Sequence, residues 1–354
     1  MRGLELSRRF YVEAVRPILE RDYPDFAHAA ALIGYGSDVL GFDDETSRDH
    51  EWGPRVQLFV RDAARRDEIE ERLARELPTT FAGFSTNFGP TDEPGTKRLA
   101  PVDAGPVAHR VQVLSLSEYV RERIGVDPLA GFSMRDWLVT PAQRLLELTA
   151  GEVFVDPIGD VTRLRELLAF YPRDIWLYVM AGHWQQISEY EHFVGRTGSR
   201  GDDLGSRILT AALVRDLMHL ALLQERRYPP YAKWLGAAYA MLSRPELRAL
   251  EGALGAADWQ TREHALCEAY EAVARRHNEL GITATVDPRV RPFWGRPFTV
   301  LFAERFVDAL LAAIEDPDVR ALGHPVGAID AASDNTALRA RPRLWRRLGL
   351  YDRT

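Results

Sequence analysis

The sequence predicts an α+β protein in two parts: a small sheet with flanking helices over residues 1–130, then a mostly α-helical domain over 131–354. Three observations predict this. Short apolar runs bounded by turn formers stand at 29–33, 56–60 and 110–114, the length and setting expected of strands. Beyond Ser115 helix punctuation becomes dense. Ser115 with Glu118 and Ser133 with Asp136 have capping-box spacing, Thr140 precedes Pro141, and Gly151 stands where a C-cap belongs. A chain of 354 residues that is 46% hydrophobic is also long enough to bury two cores.

Taken in order, residues 4–22 read as an amphipathic helix with Leu6, Phe10, Val15 and Leu19 near helical spacing and Pro24 closing it. The first strand, 29–33, runs into Gly34-Tyr35-Gly36-Ser37. A polar loop with Asp43-Asp44-Glu45 leads to Asp49-His50-Glu51-Trp52, and Gly53-Pro54 opens the second strand at its lip. Asp62 to Leu77 is a charged helix that buries Ile69, Leu73 and Leu77. From Pro78 to Ala108 the Gly, Pro and Thr content, with Phe81, Phe84 and Phe88, indicates a hairpin or an ordered loop. After the third strand, helices are expected near 141–150, 160–170, 173–194, 202–227, 231–242, 245–255, 258–279 and 299–315. The tail, 339–353, reads as a short helix or a partner contact.

The stretch 32–60 carries the chemistry. In an extended segment residues two apart face the same side, so Asp49 and Glu51 would project together while His50 points away. Two carboxylates side by side suit Mg²⁺, which takes the rest of its shell from water and substrate phosphates. The glycines before Ser37 let backbone N–H groups approach an anion. Gly36 and Ser37 are therefore the candidate phosphate contacts, and Asp49 and Glu51 the candidate metal ligands. In this stretch the chain resembles the nucleotidyltransferase superfamily, the polymerase-beta-like fold of the aminoglycoside nucleotidyltransferases. That family's signature is an apolar residue, Gly, Gly or Ser, a spacer, then Asp-x-Asp/Glu; here Gly36-Ser37 is followed by Asp49-His50-Glu51. The resemblance implies a small mixed sheet, Mg²⁺, and a nucleoside triphosphate, with ATP the expected one. It also implies transfer of a nucleoside monophosphate to a small hydroxylated acceptor. In that family the third strand carries a further carboxylate, and here its centre is Gln112. A neutral amide cannot accept a proton, so the base falls to Glu191, His109 or Asp103. The resemblance further implies that the helical domain supplies Glu191 as a catalytic carboxylate and Lys233 to the nucleotide phosphates.

The helical half offers three polar groups. Trp184, Glu189, Glu191, His192 and Arg196 are expected on one long helix, with Glu191, His192 and Arg196 sharing a face. Arg215 and Asp216, amid Leu, Val and Met, read as a buried structural pair, with His219 one turn on. Arg226 to Gly236, with two prolines, aromatic rings and Lys233, reads either as a stacking wall for a nucleotide or as a packed interhelix corner. Residues 289–297 form a basic, aromatic loop.

Composition narrows the class. A net charge of −7 speaks against nucleic acid as the main partner, although a local basic patch is compatible with it. The single cysteine, Cys267, excludes an intramolecular disulfide and a Cys-based zinc site. Ile208 to Leu223, the most apolar segment, is interrupted by Arg215, Asp216 and His219, and the first 19 residues lack a continuous apolar core. A cytoplasmic protein without membrane contact is expected, whose partners are a nucleotide and a small acceptor. Two readings follow: a Mg²⁺-dependent nucleotidyltransferase or, as Gln112 suggests, a catalytically weak or inactive relative that binds a nucleotide or a partner. A purely helical scaffold with an incidental acidic loop is the third.

Overall fold

In a computed structural model the three apolar runs become strands, and a fourth strand joins them. β1 (Ala29–Leu32) lies between β2 (Arg55–Val60) and the unexpected strand Glu152–Val155, antiparallel to both. The third expected strand, Arg110–Ser115, pairs in parallel with β2, so the sheet is mixed. Between them lie two short hairpins, β3 (Thr80–Phe81) with β4 (Phe84–Ser85) and β5 (Phe88–Pro90) with β6 (Lys97–Leu99). The strand Arg110–Ser115 is β7 and Glu152–Val155 is β8, giving the order β7-β2-β1-β8. The structure describes residues 1–333, 335, 338, 341–347 and 351.

Two compact units divide the chain. One comprises Met1–Phe132 and Arg144–Ala169; the other comprises Ser133–Gln143 and Phe170–Thr354. The first unit takes back the segment 144–169, which supplies β8.

In the first unit, side-chain alternation along β2 decides the layering. Val56, Leu58 and Val60, with Ala30, Val111 and Val113, bury one face against α1 (Gly3–Phe10), α2 (Arg16–Asp22) and α4 (Arg66–Glu76). Phe10, Val15, Leu19, Ile69 and Leu73 fill that layer, each worth about 1.5–3 kcal/mol when fully buried. Between α1 and α2 the expected single helix widens into a π turn, Tyr11–Val15. Pro17, at the start of α2, lacks the N–H that a regular i−4 bond requires. The short α3 (Ser37–Leu40) follows the glycine turn, and α5 (Leu116–Ile124) is capped by Ser115, whose hydroxyl accepts the Glu118 N–H.

Gly151 links the C-terminal end of α7 (Ala142–Thr149) to β8 in a left-handed conformation, φ +72°, and its N–H donates to the Val39 carbonyl. A β-carbon there would lie 2.0 Å from the Leu32 carbonyl oxygen. Gly151→Ala is therefore expected to destabilise this unit by more than ~1 kcal/mol, read as a lower urea midpoint. An unchanged midpoint would show that β1 and β8 separate without cost.

The second unit is built from helices. α6 (Met134–Val139) begins with the expected capping box of Ser133 and Asp136. Thr140, by contrast, does not cap α7: its hydroxyl is buried without a partner among the described residues, and Asp330 accepts the Ala142 N–H. After α8 (Asp160–Leu167), which belongs to the first unit, come α9 (Arg173–Tyr190), α10 (Phe193–Gly198), α11 (Asp203–Gln224), α12 (Ala232–Ala240), α13 (Leu247–Gly255) and α14 (Trp259–Glu279). A hairpin of β9 (Arg291–Pro292) and β10 (Thr299–Val300) precedes α15 (Glu304–Ala312). The core centres on Trp184, fully buried and stacked on Phe306 with ring centroids 4.6 Å apart. In the tail, Pro342–Trp345 forms one helical turn with Trp345 buried; residues 339, 340, 348–350, 352 and 353 of the expected tail element lie outside the described residues. Among the described residues no helix is long and apolar enough to cross a membrane.

Candidate ligand-binding site

The second face of the sheet carries the polar side chains. β2 and β7 run in parallel with Arg55 opposite Arg110 and Gln57 opposite Gln112. With Tyr35 of the glycine turn and Tyr119 and Arg123 of α5, these residues line a pocket of ≈ 230 Å³. Gln57 extends the sheet ladder with its own amide. Its Oε1 accepts from Ile33 N at 2.8 Å, while Nε2 donates to the Ile33 carbonyl at 2.9 Å and to the Tyr119 hydroxyl at 3.1 Å. Tyr119 is held by these bonds, and burial pushes its phenol up to about 12, so it stays protonated across the physiological range.

Each arginine has a different anchor. Arg55 is buried, with Nη2 at 2.7 Å from both oxygens of the buried Asp38. Desolvation works against its charge, and Asp38 more than offsets that, holding the guanidinium pKa above its ordinary value. Arg110 donates to Glu51 at 2.5 Å. Arg123 lies over the Tyr119 ring at 3.5 Å and donates to the Tyr119 carbonyl. Among the described residues no carboxylate pairs with it, and its Nε is buried without a partner. Glu122, the carboxylate lining the pocket, is exposed at its rim.

The structure corrects the expected geometry of the acidic pair. Residues 49–51 are not extended. Asp49 is helical, φ −66° and ψ −33°, at the end of a 3₁₀ turn over Thr46–Arg48, and Glu51 is left-handed at φ +50°. The two-residue period therefore does not apply. Asp49 is exposed and bonded to His50 through both the backbone N–H and the ring. Glu51 points inward: Oε1 accepts from Lys97 N at 2.9 Å, and Oε2 from Arg110 and from the Tyr35 hydroxyl at 3.3 Å, with Arg55 Nη1 at 4.0 Å. Glu51 thus does stand at the glycine turn, beside Gly36, whose added β-carbon would lie 3.0 Å from Arg55. Ser37 opens α3. Asp49 and Glu51 share no partner, however, and two guanidinium charges within 4.0 Å of Glu51 already neutralise it. Arranged in this way the pair does not fit a shared Mg²⁺ ion.

The candidate bases fare differently. His109 uses both ring nitrogens, with Nε2 on the Glu70 carbonyl and Nδ1 accepting from Val111 N, and burial lowers its pKa. It is a neutral structural histidine. Asp103 is exposed in a bend. In the second unit α9 ends at Tyr190, so Glu191, His192 and Arg196 do not share a helix with Trp184. Glu191 is buried, its carboxylate accepting from Leu301 N at 2.6 Å and Ala303 N at 3.1 Å, which corrects the expectation of a polar helix face. Burial, opposed by those two N–H groups, pushes it up to about 8. Lys233 is exposed at the start of α12, its Nζ 4.8 Å from the Trp234 ring. Asp216 is buried with His183 Nδ1 at 3.3 Å, while Arg215 is exposed, so the two are not buried together as expected.

Sequence reasoning missed Arg55, Arg110, Tyr119 and Arg123. The available signal was the same start to both strands, Arg-Val-Gln, a cation two residues before an amide on one strand face, unusual in a buried ladder.

Comparison with known proteins adds the following. Residues 137–235, from α6 to the start of α12, match a family described as a domain of unknown function (DUF4037). No curated protein matches. Among solved structures the chain is similar to a nucleotidyltransferase-like protein from Exiguobacterium sibiricum, with 15% identity, 78% of this chain and 77% of that chain covered, and a TM-score of 0.35.

Proposed function

We propose that the first unit binds a phosphate-bearing ligand, a nucleoside triphosphate, in the pocket between the β2/β7 face and α5. One observation carries this reading: Arg123 enters the pocket beside Arg55 and Arg110 with no carboxylate of its own among the described residues. A guanidinium in that position matches a phosphate oxygen in charge and geometry. Asp38 and Glu51 hold the other two arginines in place. The protein is then a nucleotide-binding module of nucleotidyltransferase-like shape, in which Gln112 stands where a base would be needed. A second reading, Mg²⁺-dependent transfer of a nucleoside monophosphate to a small hydroxylated acceptor, keeps the support of Glu51, which touches Tyr35 at the glycine turn.

A thermal-shift panel of ATP, GTP, CTP and UTP, each in EDTA and in Mg²⁺, separates the two. The binding reading predicts stabilisation in EDTA, about 2.7 kcal/mol at a hundredfold excess over Kd. Arg123→Ala is expected to weaken binding by about 1.5–3 kcal/mol, the worth of a charged hydrogen bond. A shift that requires Mg²⁺ supports transfer instead. No shift with any nucleotide removes both readings.

A further inference from the structure

A second surface, in the helical unit, has the chemistry of a different ligand. At the corner between α9 and α10, His192 stacks on Phe293 of the β9/β10 hairpin at 4.6 Å and 27°, and lies 4.2 Å from Phe193. The row continues through Phe302 to Trp294, whose ring meets Phe302 edge-on at 5.2 Å. Trp294 sits in the hairpin turn with φ +49°, followed by Gly295 at +73°, and is 76% exposed. Two arginines cover the row: Arg196 lies 5.3 Å over Phe193, and Arg296 lies 5.2 Å over Phe293. Both are exposed, and among the described residues no carboxylate pairs with either, whereas neighbouring Arg289 and Arg291 share the Asp287 carboxylate. The platform is held from below, because buried Glu191 accepts the N–H groups of Leu301 and Ala303 and so fastens the chain leaving the hairpin to the α9 corner.

We infer that this surface binds single-stranded nucleic acid, with a base on the exposed Trp294 ring and phosphates against Arg196 and Arg296. A tryptophan 76% exposed at a hairpin tip touches Phe302 only edge-on and leaves its faces to solvent, and with guanidinium groups that no carboxylate pairs it offers both of the contacts that single strands need. An acidic peptide would use the arginines and leave the rings unused. A duplex hides its base faces. His192 also stays neutral near pH 7, since burial, then Arg196 and Arg296, lower its pKa, and its ring remains a stacking face. The overall charge of −7 does not oppose this, because the patch carries its own local excess.

The test is fluorescence anisotropy with the full chain and labelled twelve-residue oligomers of uridine or thymidine in 50 and 200 mM KCl. Binding of either oligomer, weakened by salt, is expected. Trp294→Ala and the double variant Arg196→Ala/Arg296→Ala are each expected to weaken it about tenfold, with Tm unchanged because these side chains are exposed. Arg123→Ala, in the other unit, should leave it intact. The inference is overturned by no binding at 50 mM KCl, by full binding in Trp294→Ala, by equal affinity for a duplex of the same length, or by polyglutamate competing as well as unlabelled oligomer.

Discussion

Replacing Arg55 with alanine is expected to destabilise the first unit by about 3–5 kcal/mol, the largest effect of any change at the candidate site. Arg55 is 6% exposed and Asp38 is 2% exposed, so both charges are withdrawn from water. Their contact, Nη2 at 2.7 Å from each carboxylate oxygen, is what compensates that desolvation. Alanine leaves Asp38 buried beside the glycine turn without its counter-charge. The double variant Arg55→Ala/Asp38→Ala removes the orphaned carboxylate as well, so its loss should be smaller than the sum of the two single losses. Urea unfolding followed by hydrogen exchange in peptides covering residues 29–60 reads this directly. A single-variant loss within 0.5 kcal/mol would mean that water replaces the guanidinium and that the pair is not desolvated. Because Arg55 also lines the pocket, nucleotide stabilisation should vanish in the same variant.

The α+β class and three strands were legible because two of the strands are apolar runs cut off by glycine or proline and the third alternates Val and Leu with polar residues before a helix cap, and the sheet is mixed as the resemblance implied. β8 was not legible. It is four residues, Glu152–Val155, beside a glycine that marks a helix end equally well, and its pairing with β1 is a long-range fact. Most helices were found within a few residues; the one expected over 299–315 begins only at Glu304, after β10, and the chain turns at Glu191 because that side chain is drawn into the body by the N–H groups of 301 and 303, over a hundred positions away. The acidic pair shows the same limit. Residues 49 and 51 have the spacing of two ligands, but a strand period holds only inside a strand, and the strand begins at Arg55. The arginine pocket was hidden for a related reason. Arg55 and Arg110 become neighbours through the parallel register of β2 and β7, and Arg123 joins them from α5, which no local window relates.

Stability of the helical unit is expected to depend on pH through Glu191, and Glu191→Gln should remove that dependence. The folded-state carboxyl is raised from 4.5 to about 8, with burial as the dominant cause. Between those values the unfolded chain releases a proton that the folded chain keeps. The contribution of Glu191 is therefore fully present below about pH 4.5 and is lost as pH rises toward 8, by on the order of 3–5 kcal/mol. Glutamine cannot titrate. It presents one acceptor and one donor to two N–H groups, so it costs about 1–3 kcal/mol where glutamate is protonated. At pH 5 the wild-type chain should accordingly be the more stable, and by pH 8 to 9 the order should narrow or invert. Other groups of this unit titrate as well: half-buried Glu263, raised to about 7, acts in the same direction, whereas buried His277, lowered to about 4, withdraws stability as pH falls below 6.5. Both are present in wild type and variant alike, so the difference between the two urea midpoints, measured at each pH from 5 to 9, isolates residue 191. A difference that stays constant across that range would show that Glu191 is ionised in the folded protein, carried by its two N–H donors and the start of α15.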